Sequence, residues 1–372
     1  MNKRANGEGT FRIRDNGTWE CMIRYNGKRH SVYGKSRKEC ITKLKELKKK
    51  LDFGIAEKSK HMTYETLLKN YLENIIAIKN RPSTYDNYKI VIDNHLIPHL
   101  GKYKVDKLTR TDIQDMIKKE KKAGKSASTI GLIHHVCKTS LAYAIELKII
   151  MENPSFGVVK PQIDKKEMSV LTEDQFRHLR DVGGDIRSKE RMFSCFIFMF
   201  YTGLRRGEAL GLKWSDIDMT EKSLSMKRAV TKSTSKGIII TKGKTARAVR
   251  AIPLPENSIK ELLIFKETQA KEKAFYGKKY NNENWIFCRP DGKRYYPTSL
   301  RKIFLRILAL ADIPPIRVHD TRHTFATFLM LAGENPKTVQ AIMGHANIST
   351  TLGYSHVTDG LKRQAADKLD NI

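Results

Sequence analysis

The stretch Arg317-Val318-His319-Asp320-Thr321-Arg322-His323, continuing through Gly344-His345-Ala346 to Gly353-Tyr354-Ser355-His356, sets the reading of the whole chain. His319 and Arg322 are three residues apart, just after Pro314-Pro315, where a helix can begin. That spacing on a helix puts both side chains on one face. A second His follows Gly344, and Tyr354 comes nine residues later. Between them Ile348-Ser349-Thr350-Thr351 supplies a cap-like start for another short helix. One cation, two imidazoles and a phenol are thus brought to predicted helix ends. What they can act on depends on the rest of the chain.

Composition narrows the target. A length of 372 residues implies two or three domains, each with room for a core. Seventy Lys and Arg against forty Asp and Glu leave a net charge of +30, a surface that attracts phosphate backbones. Hydrophobic content of 40% and charged content of 30% describe a globular, water-soluble chain. The longest apolar run, 192–201, is too short to span a bilayer, and residues 1–7 carry no apolar signal core, so a cytoplasmic protein with no membrane contact is expected. Cysteines 21, 40, 137, 195 and 288 include no C-x-x-C pair, which speaks for a reduced compartment and against disulfides or zinc.

Residues 1–60 hold 17 Lys/Arg against 7 Asp/Glu. The segments 10–14, 19–25 and 28–33 alternate as half-buried strands do, separated by Asp15-Asn16-Gly17 and Asn26-Gly27. Ser36 then caps a basic helix to about residue 51. This sheet-plus-helix offers Arg12, Arg14 and Arg24 on one surface, and such a ribbon can enter a major groove. The alternative is a solvated charged face.

Residues 61–155 read as four helices, 64–79, 83–96, 111–123 and 128–151. Their breaks fall at Arg81-Pro82-Ser83, 98–101, Gly124-Lys125 and Asn153-Pro154. Basic edges let such a bundle lie along a duplex. The polar, Pro-containing segment 156–170 reads as a linker between two bodies that clamp a partner from opposite sides.

From 171 the texture changes. Leu171-Thr172-Glu173-Asp174 opens a helix, and 191–203 is a nearly all-apolar helix that must be buried. It ends in Thr202-Gly203-Leu204-Arg205-Arg206-Gly207-Glu208. Arg205 is either a functional cation or half of a buried ion pair with Glu208. Trp214-Ser215-Asp216-Ile217-Asp218 reads as a turn and not as a metal site, since no His or third acid is near. Strands are expected at 223–230, 237–242 and 247–253, with Gly243-Lys244-Thr245 on a hairpin tip. A phosphate-cradling G-x-x-x-x-G-K-T loop is rejected: Gly237 is one residue too far from Gly243, and a strand follows where a helix is required. Lys244, with Lys242 as its competitor, is instead a loop cation. Helices follow at 255–276 and 298–311, with a short buried strand at 285–287 between them. A tail helix at 358–369, striped by Leu361, Ala365 and Leu369, packs on its own domain or on a neighbour's.

A DNA phosphodiester is the target that the charge suggests. Breaking it needs a nucleophile, neutralisation of a pentacovalent phosphorane, and a proton for the leaving oxygen. A Tyr can attack if a base or cationic field offsets its phenol pKa near 10. Arg forks grip non-bridging oxygens, a Lys can protonate the departing oxygen, and a His can accept a proton or hold an oxygen. Arg205, Lys244, His319, Arg322, His345 and Tyr354 supply every role without a metal or other cofactor.

The same residues carry a family resemblance. Thr202-Gly203-Leu204-Arg205-Arg206-Gly207-Glu208-Ala209-Leu210-Gly211-Leu212 is similar to the first arginine box of the tyrosine recombinases, the phage-integrase family. Lys244-Thr245 ahead of Arg250-Ala251-Ile252-Pro253-Leu254 resembles the family's hairpin-lysine segment. His319-Asp320-Thr321-Arg322-His323 matches its His-x-x-Arg box, and Met343-Gly344-His345-Ala346 through to Tyr354 its closing His and nucleophile, with Met343 where Leu is usual. The chain looks most like integrases of temperate phages and conjugative transposons of Gram-positive bacteria.

The resemblance implies a multidomain fold, mainly α with small β-sheets. An arm-type DNA-binding domain would occupy 1–60, a helical, SAM-like core-binding domain 61–155, and an α+β catalytic domain 171–372. It implies that Tyr354 forms a 3′-phosphotyrosine while Arg205 and Arg322 hold the phosphorane. Lys244 would be general acid, His319 would assist proton transfer, His345 would hydrogen-bond the phosphate, and Glu208 would orient its neighbours. The partners implied are double-stranded attachment-site DNA, a homotetramer on that DNA, and an accessory excision or bending protein. Two rival readings are a type IB topoisomerase, which needs no second site, and a DNA-binding regulator, which needs neither Tyr354 nor Lys244.

Overall fold

The computed structural model describes residues 10–25, 27–52, 62–163, 169–242 and 250–344. The chain divides into two compact units, Met1–Asp164 and Lys165–Ile372. In the first, β1 (Thr10–Ile13), β2 (Trp19–Tyr25) and β3 (Lys28–Gly34) form an antiparallel sheet in that order. Strand alternation sends Trp19, Cys21 and Ile23 to one face, where α1 (Arg37–Asp52) adds Cys40 and Leu44 to a small core.

The opposite face carries Arg12, Glu20, Arg24 and Tyr33, with Arg24 opposite Arg29 in register. A carboxylate at its centre was not foreseen. Glu20 accepts from Arg12 Nε at 2.7 Å, Arg14 Nε at 3.0 Å and the Tyr33 hydroxyl at 3.1 Å. The hydrogen bond from Arg14, then that from Arg12, pull the Glu20 carboxyl down to about 2.

The remainder of this unit is helical. The expected first helix is α2 (Tyr64–Tyr71) and α3 (Ala77–Lys79) joined by a π-turn, Leu72–Ile76. The second, α4 (Pro82–Val91) and α5 (Ile97–Leu100), is joined by another, Ile92–Leu96. It therefore passes Pro98, where a break was expected. The π-turn, bonded i to i+5, resets the ladder just ahead of a residue that has no N–H to donate. Thr109 and Asp112 form a capping box at the start of α6 (Arg110–Lys122). α7 (Ala127–Glu146) begins at Ser126 and stops short of the expected residue 151, because Lys148 turns to a positive φ of 56°. The core is lined by Leu67, Ile92, Ile113, Ile130 and Leu141, and the buried Tyr64 hydroxyl bonds Ser140 at 2.8 Å.

In the second unit Thr172 caps α8 (Glu173–Asp181), and α9 (Gly183–Lys189) leads to α10 (Phe193–Thr202). α10 is apolar all round and every residue but Tyr201 is buried, as its composition requires. After the short α11 (Arg206–Ala209), β4 (Ile217–Asp218), β5 (Ser223–Met226) and β8 (Arg250–Pro253) form one antiparallel sheet. β6 (Arg228–Ser233) and β7 (Gly237–Lys242) form a separate hairpin. The strand expected over 223–230 is thus two strands in two sheets, broken at Lys227. Arg228 turns its guanidinium onto Asp216, with Nη2 3.2 Å from Oδ1, and that ion pair redirects the chain. The hairpin tip expected at 243–245 lies outside the described residues; of the strands flanking 243–249, β7 pairs with β6 through a hairpin closing at 234–236, and β8 pairs with β5.

The expected strand at 285–287 is buried but is not a strand. The Gln269 amide donates to Trp285 O at 2.8 Å, and Ile286 N donates to Leu212 O at 2.9 Å, so a side chain and a loop stand in for a ladder. α12 (Glu256–Tyr276), α13 (Leu300–Leu310) and α14 (Asp320–Leu331) pack around α10, and α15 (Pro336–Met343) lies against α14 and β8. Phe196 of α10 stacks on Phe304 of α13, ring centroids 4.6 Å apart. The expected tail helix at 358–369 lies outside the described residues.

Two outcomes are expected. Phe304→Ala, at a fully buried ring, should cost about 3–5 kcal/mol, read as a lower urea midpoint in tryptophan fluorescence. Glu20→Gln should speed amide exchange in β1 and β2 at neutral pH. A carboxylate whose folded pKa is depressed adds stability above its ordinary value of about 4.3 and loses it as pH falls through about 2. The difference between wild type and variant should therefore close over that window.

Candidate active site

The site begins where α10 ends. Gly203 takes a left-handed φ of 61°, and a Cβ there would meet the Phe325 ring at 2.4 Å, so only glycine fits. This turn delivers Arg205 to the N-cap of α11. Glu208, three residues on, accepts from the Arg205 amide and from Arg205 Nη1, both at 2.9 Å. The ion pair considered from the sequence is therefore real. Arg205 is nevertheless 42% exposed, against 10% for Glu208, so it is not a buried structural cation.

Arg205 opens onto a cleft of about 1200 Å³ that is also lined by Arg206, Lys232, Arg301, Arg317 and His319. The acids at its wall are already paired. Asp320 accepts from the Arg317 amide at 2.7 Å and from Arg317 Nη2 at 2.8 Å. Burial pushes the Glu208 carboxyl up, but Arg250, the Arg205 amide and the charges of Arg205 and Arg322 outweigh it and hold the group below the usual carboxylate range. The free charge facing the cleft is positive.

His319 sits at the N-cap of α14 with one edge open to the cleft, in edge-to-face contact with His323 at 4.7 Å. Packing in the cleft wall, then the guanidiniums of Arg322 and Arg205, push its pKa below the ordinary imidazole value. Burial, then His319, push His323 down to about 4. Both rings are neutral at pH 7 and can accept a proton.

Arg322 lies behind the wall. It is 1% exposed and does not line the cleft; Nη1 donates to Gly203 O at 2.6 Å and Nη2 to Met343 O at 2.5 Å. The His-x-x-Arg spacing thus leaves His319 facing the cleft and Arg322 clamping the ends of α10 and α15. Lys244, His345 and Tyr354 lie outside the described residues, as does the side chain of Lys242. Arg12, Arg14 and Arg24 share the sheet face of the first unit, two of them on Glu20.

Sequence reading gave no separate role to Arg250, Lys232, Arg301 or the Arg317–Asp320 pair. Arg317 and Asp320 stand three apart, which could have signalled them. Lys232 and Arg301 come from β6 and α13, and nothing local marks them as neighbours of Arg205.

A model of the phage integrase family matches residues 169–360, and one of the phage integrase N-terminal SAM-like domain matches residues 63–120. The chain is 29% identical to a tyrosine recombinase XerC-like protein of Caldanaerobacter subterraneus subsp. tengcongensis, over 93% of each chain. Among solved structures, the Tn1549 transposon integrase in complex with transposon right end DNA superposes with a TM-score of 0.70 at 24% identity, covering 83% of this chain and 100% of that one. A lambda integrase tetramer bound to a Holliday junction superposes at 0.57 and 19%, covering 96% and 99%. These last two likenesses bear on the fold.

The electrostatics of the cleft can be read by NMR. Imidazole resonances assigned through His319→Gln and His323→Gln should titrate below about 6.5 for His319 and near about 4 for His323. An unfolded chain takes up these protons at the ordinary value, so stability should fall as pH drops from about 6.5 toward 4. A His319 midpoint at or above the ordinary value would contradict the field ascribed to the two arginines.

Proposed function

The chain belongs to the phage integrase family, and from that premise we propose that it is a tyrosine-type site-specific DNA recombinase. It cuts and rejoins double-stranded DNA at attachment sites, integrating and excising a mobile element through a 3′-phosphotyrosine intermediate. The observation that carries the reading is the cleft itself. Arg205 and His319, more than a hundred residues apart, face one electropositive space, with the Arg322 charge directly behind.

In this reading the Tyr354 oxygen attacks the scissile phosphorus and the bond to the 5′ oxygen breaks. His319, neutral and open to the cleft, takes part in removing the phenol proton. Lys244 gives a proton to the departing 5′ oxygen. Arg205 grips a non-bridging oxygen with the part of its fork that Glu208 leaves free, and Arg322 stabilises the phosphorane through its charge. His345 hydrogen-bonds the phosphate. A 5′-hydroxyl from the partner duplex then reverses the step, so the ester bond's free energy is retained in the protein–DNA link. Exchange of strands in pairs needs four such sites, hence a tetramer on DNA, as the lambda integrase structure is described.

The modules divide the work. Residues 1–60 bind arm-type sites through the sheet face bearing Arg12, Arg14 and Arg24, 61–155 bind the core site, 156–170 link the bodies, and 171–372 carry the chemistry. No described helix is long and apolar enough to cross a membrane, and the work on chromosomal DNA places the protein in the cytoplasm. An accessory excision or bending protein would set direction.

Incubation with a nicked duplex spanning the element–host junction should trap a covalent protein–DNA adduct. Tyr354→Phe should abolish it; adduct at the wild-type level would remove Tyr354 as nucleophile. Arg205→Ala should slow cleavage by about 10²–10³-fold, with DNA affinity much less affected. Affinity itself should fall steeply with salt, because each neutralised phosphate releases counterions.

A further inference from the structure

Arg250 stands at the start of β8, paired in register with Met226 of β5, and its side chain is only 8% exposed. A guanidinium removed from water needs partners on several sides. Arg250 finds them on two elements far apart in sequence. Nη2 meets Glu208 Oε2 at 3.2 Å, and Nε donates to Ile342 O at 2.7 Å, in the last turn of α15. The last carbonyls of a helix have no intrahelical partner and carry its negative end, so a cation is favoured there.

The neighbouring carbonyl, Met343 O, is held by Arg322. Two guanidiniums therefore hold two consecutive carbonyls at one helix end. Gly344, which follows, takes a left-handed φ of 64°, and a Cβ there would come within 3.0 Å of Arg250 Nη1. The helix end is built tightly around this side chain. On its other side Glu208 is shared between Arg205 and Arg250. Arg250 thus joins the carboxylate that orients Arg205 to the end of α15, while lining no part of the cleft itself.

We propose that Arg250 is a positioning residue for DNA cleavage: bonded at once to Glu208 and to the end of α15, it holds the Arg205 fork at the angle the phosphate requires. The inference rests on the recombinase reading above. Without Arg250, Glu208 keeps Arg205 as a partner but loses its anchor, and the fork swings with the carboxylate. A misplacement of about 1 Å at a reacting centre is enough to cost about 10²-fold in rate.

The test uses full-length protein and the nicked junction duplex under single-turnover conditions, with wild type and Tyr354→Phe alongside. Arg250→Ala should cleave about 10²-fold more slowly while its adduct still rises to the wild-type end point and its DNA dissociation constant stays within about twofold. Arg250→Lys keeps the charge beside Glu208 but not the second hydrogen bond, so it should fall between the two; it carries the same comparison if the alanine variant does not fold. In a Glu208→Gln background, Arg250→Ala should cost little further, because the two residues act through one link. A role in folding alone would instead lower the end point and the affinity and leave the rate constant unchanged. That result, or wild-type rates in both Arg250 variants while wild type itself reacts, would overturn the inference and leave the recombinase reading intact. Failure of wild type to form adduct would overturn both.

Discussion

One buried carboxylate organises the cleft. Glu208 accepts from the Arg205 amide and guanidinium on one side and from Arg250 on the other. An unpaired acid at that depth would be protonated or expelled; with these cations it stays ionised. Its partners are consequently fixed too. Removing one member of such a group typically costs about 3–5 kcal/mol, because the charge left behind is still buried. The site is therefore as rigid as the packing beneath it, and that packing is α10 with its aromatic neighbours.

The geometry follows from close approaches that only small residues permit. Gly203 touches Phe325 of α14, and Gly207 lies so near Val230 of β6 that a Cβ would stand 2.4 Å from its carbonyl oxygen. These contacts press the end of α10 against α14 and α11 against β6, which is why Arg205, Lys232 and His319 border one space. Arg322 closes the arrangement from behind by tying Gly203 O to Met343 O. The first unit uses a related device on a smaller scale. Glu20, buried under Arg12, Arg14 and Tyr33, holds two guanidiniums on a sheet face, where net charge alone would drive them apart.

Much of this was readable in the chain. Apolar spacing announced α6 and α7, Leu171-Thr172-Glu173-Asp174 announced the start of α8, and Asp15-Asn16-Gly17 announced the first hairpin, because these signals act over a few bonds. The misreadings were tertiary. Pro98 does not end a helix because a π-turn precedes it. The run from 223 to 233 is two strands because Arg228 reaches Asp216, a partner no periodicity reveals. Nor does any spacing reveal that Arg322 is buried against two carbonyls, one of them 119 positions away.

Taken alone, the amino-acid sequence determined which side chains were available and which helix ends would carry them, since capping, turn chemistry and box spacing are local. It also determined the sign of the partner, because an excess of thirty positive charges does not depend on how the chain folds. Only the tertiary structure decided which cations stand free and which are held. Arg205 and Arg250 are the same residue type, yet one lines the cleft and the other is sealed against Glu208 and Ile342. The physical reason is desolvation: the worth of a charge is set by what surrounds it, and its surroundings come from distant parts of the chain.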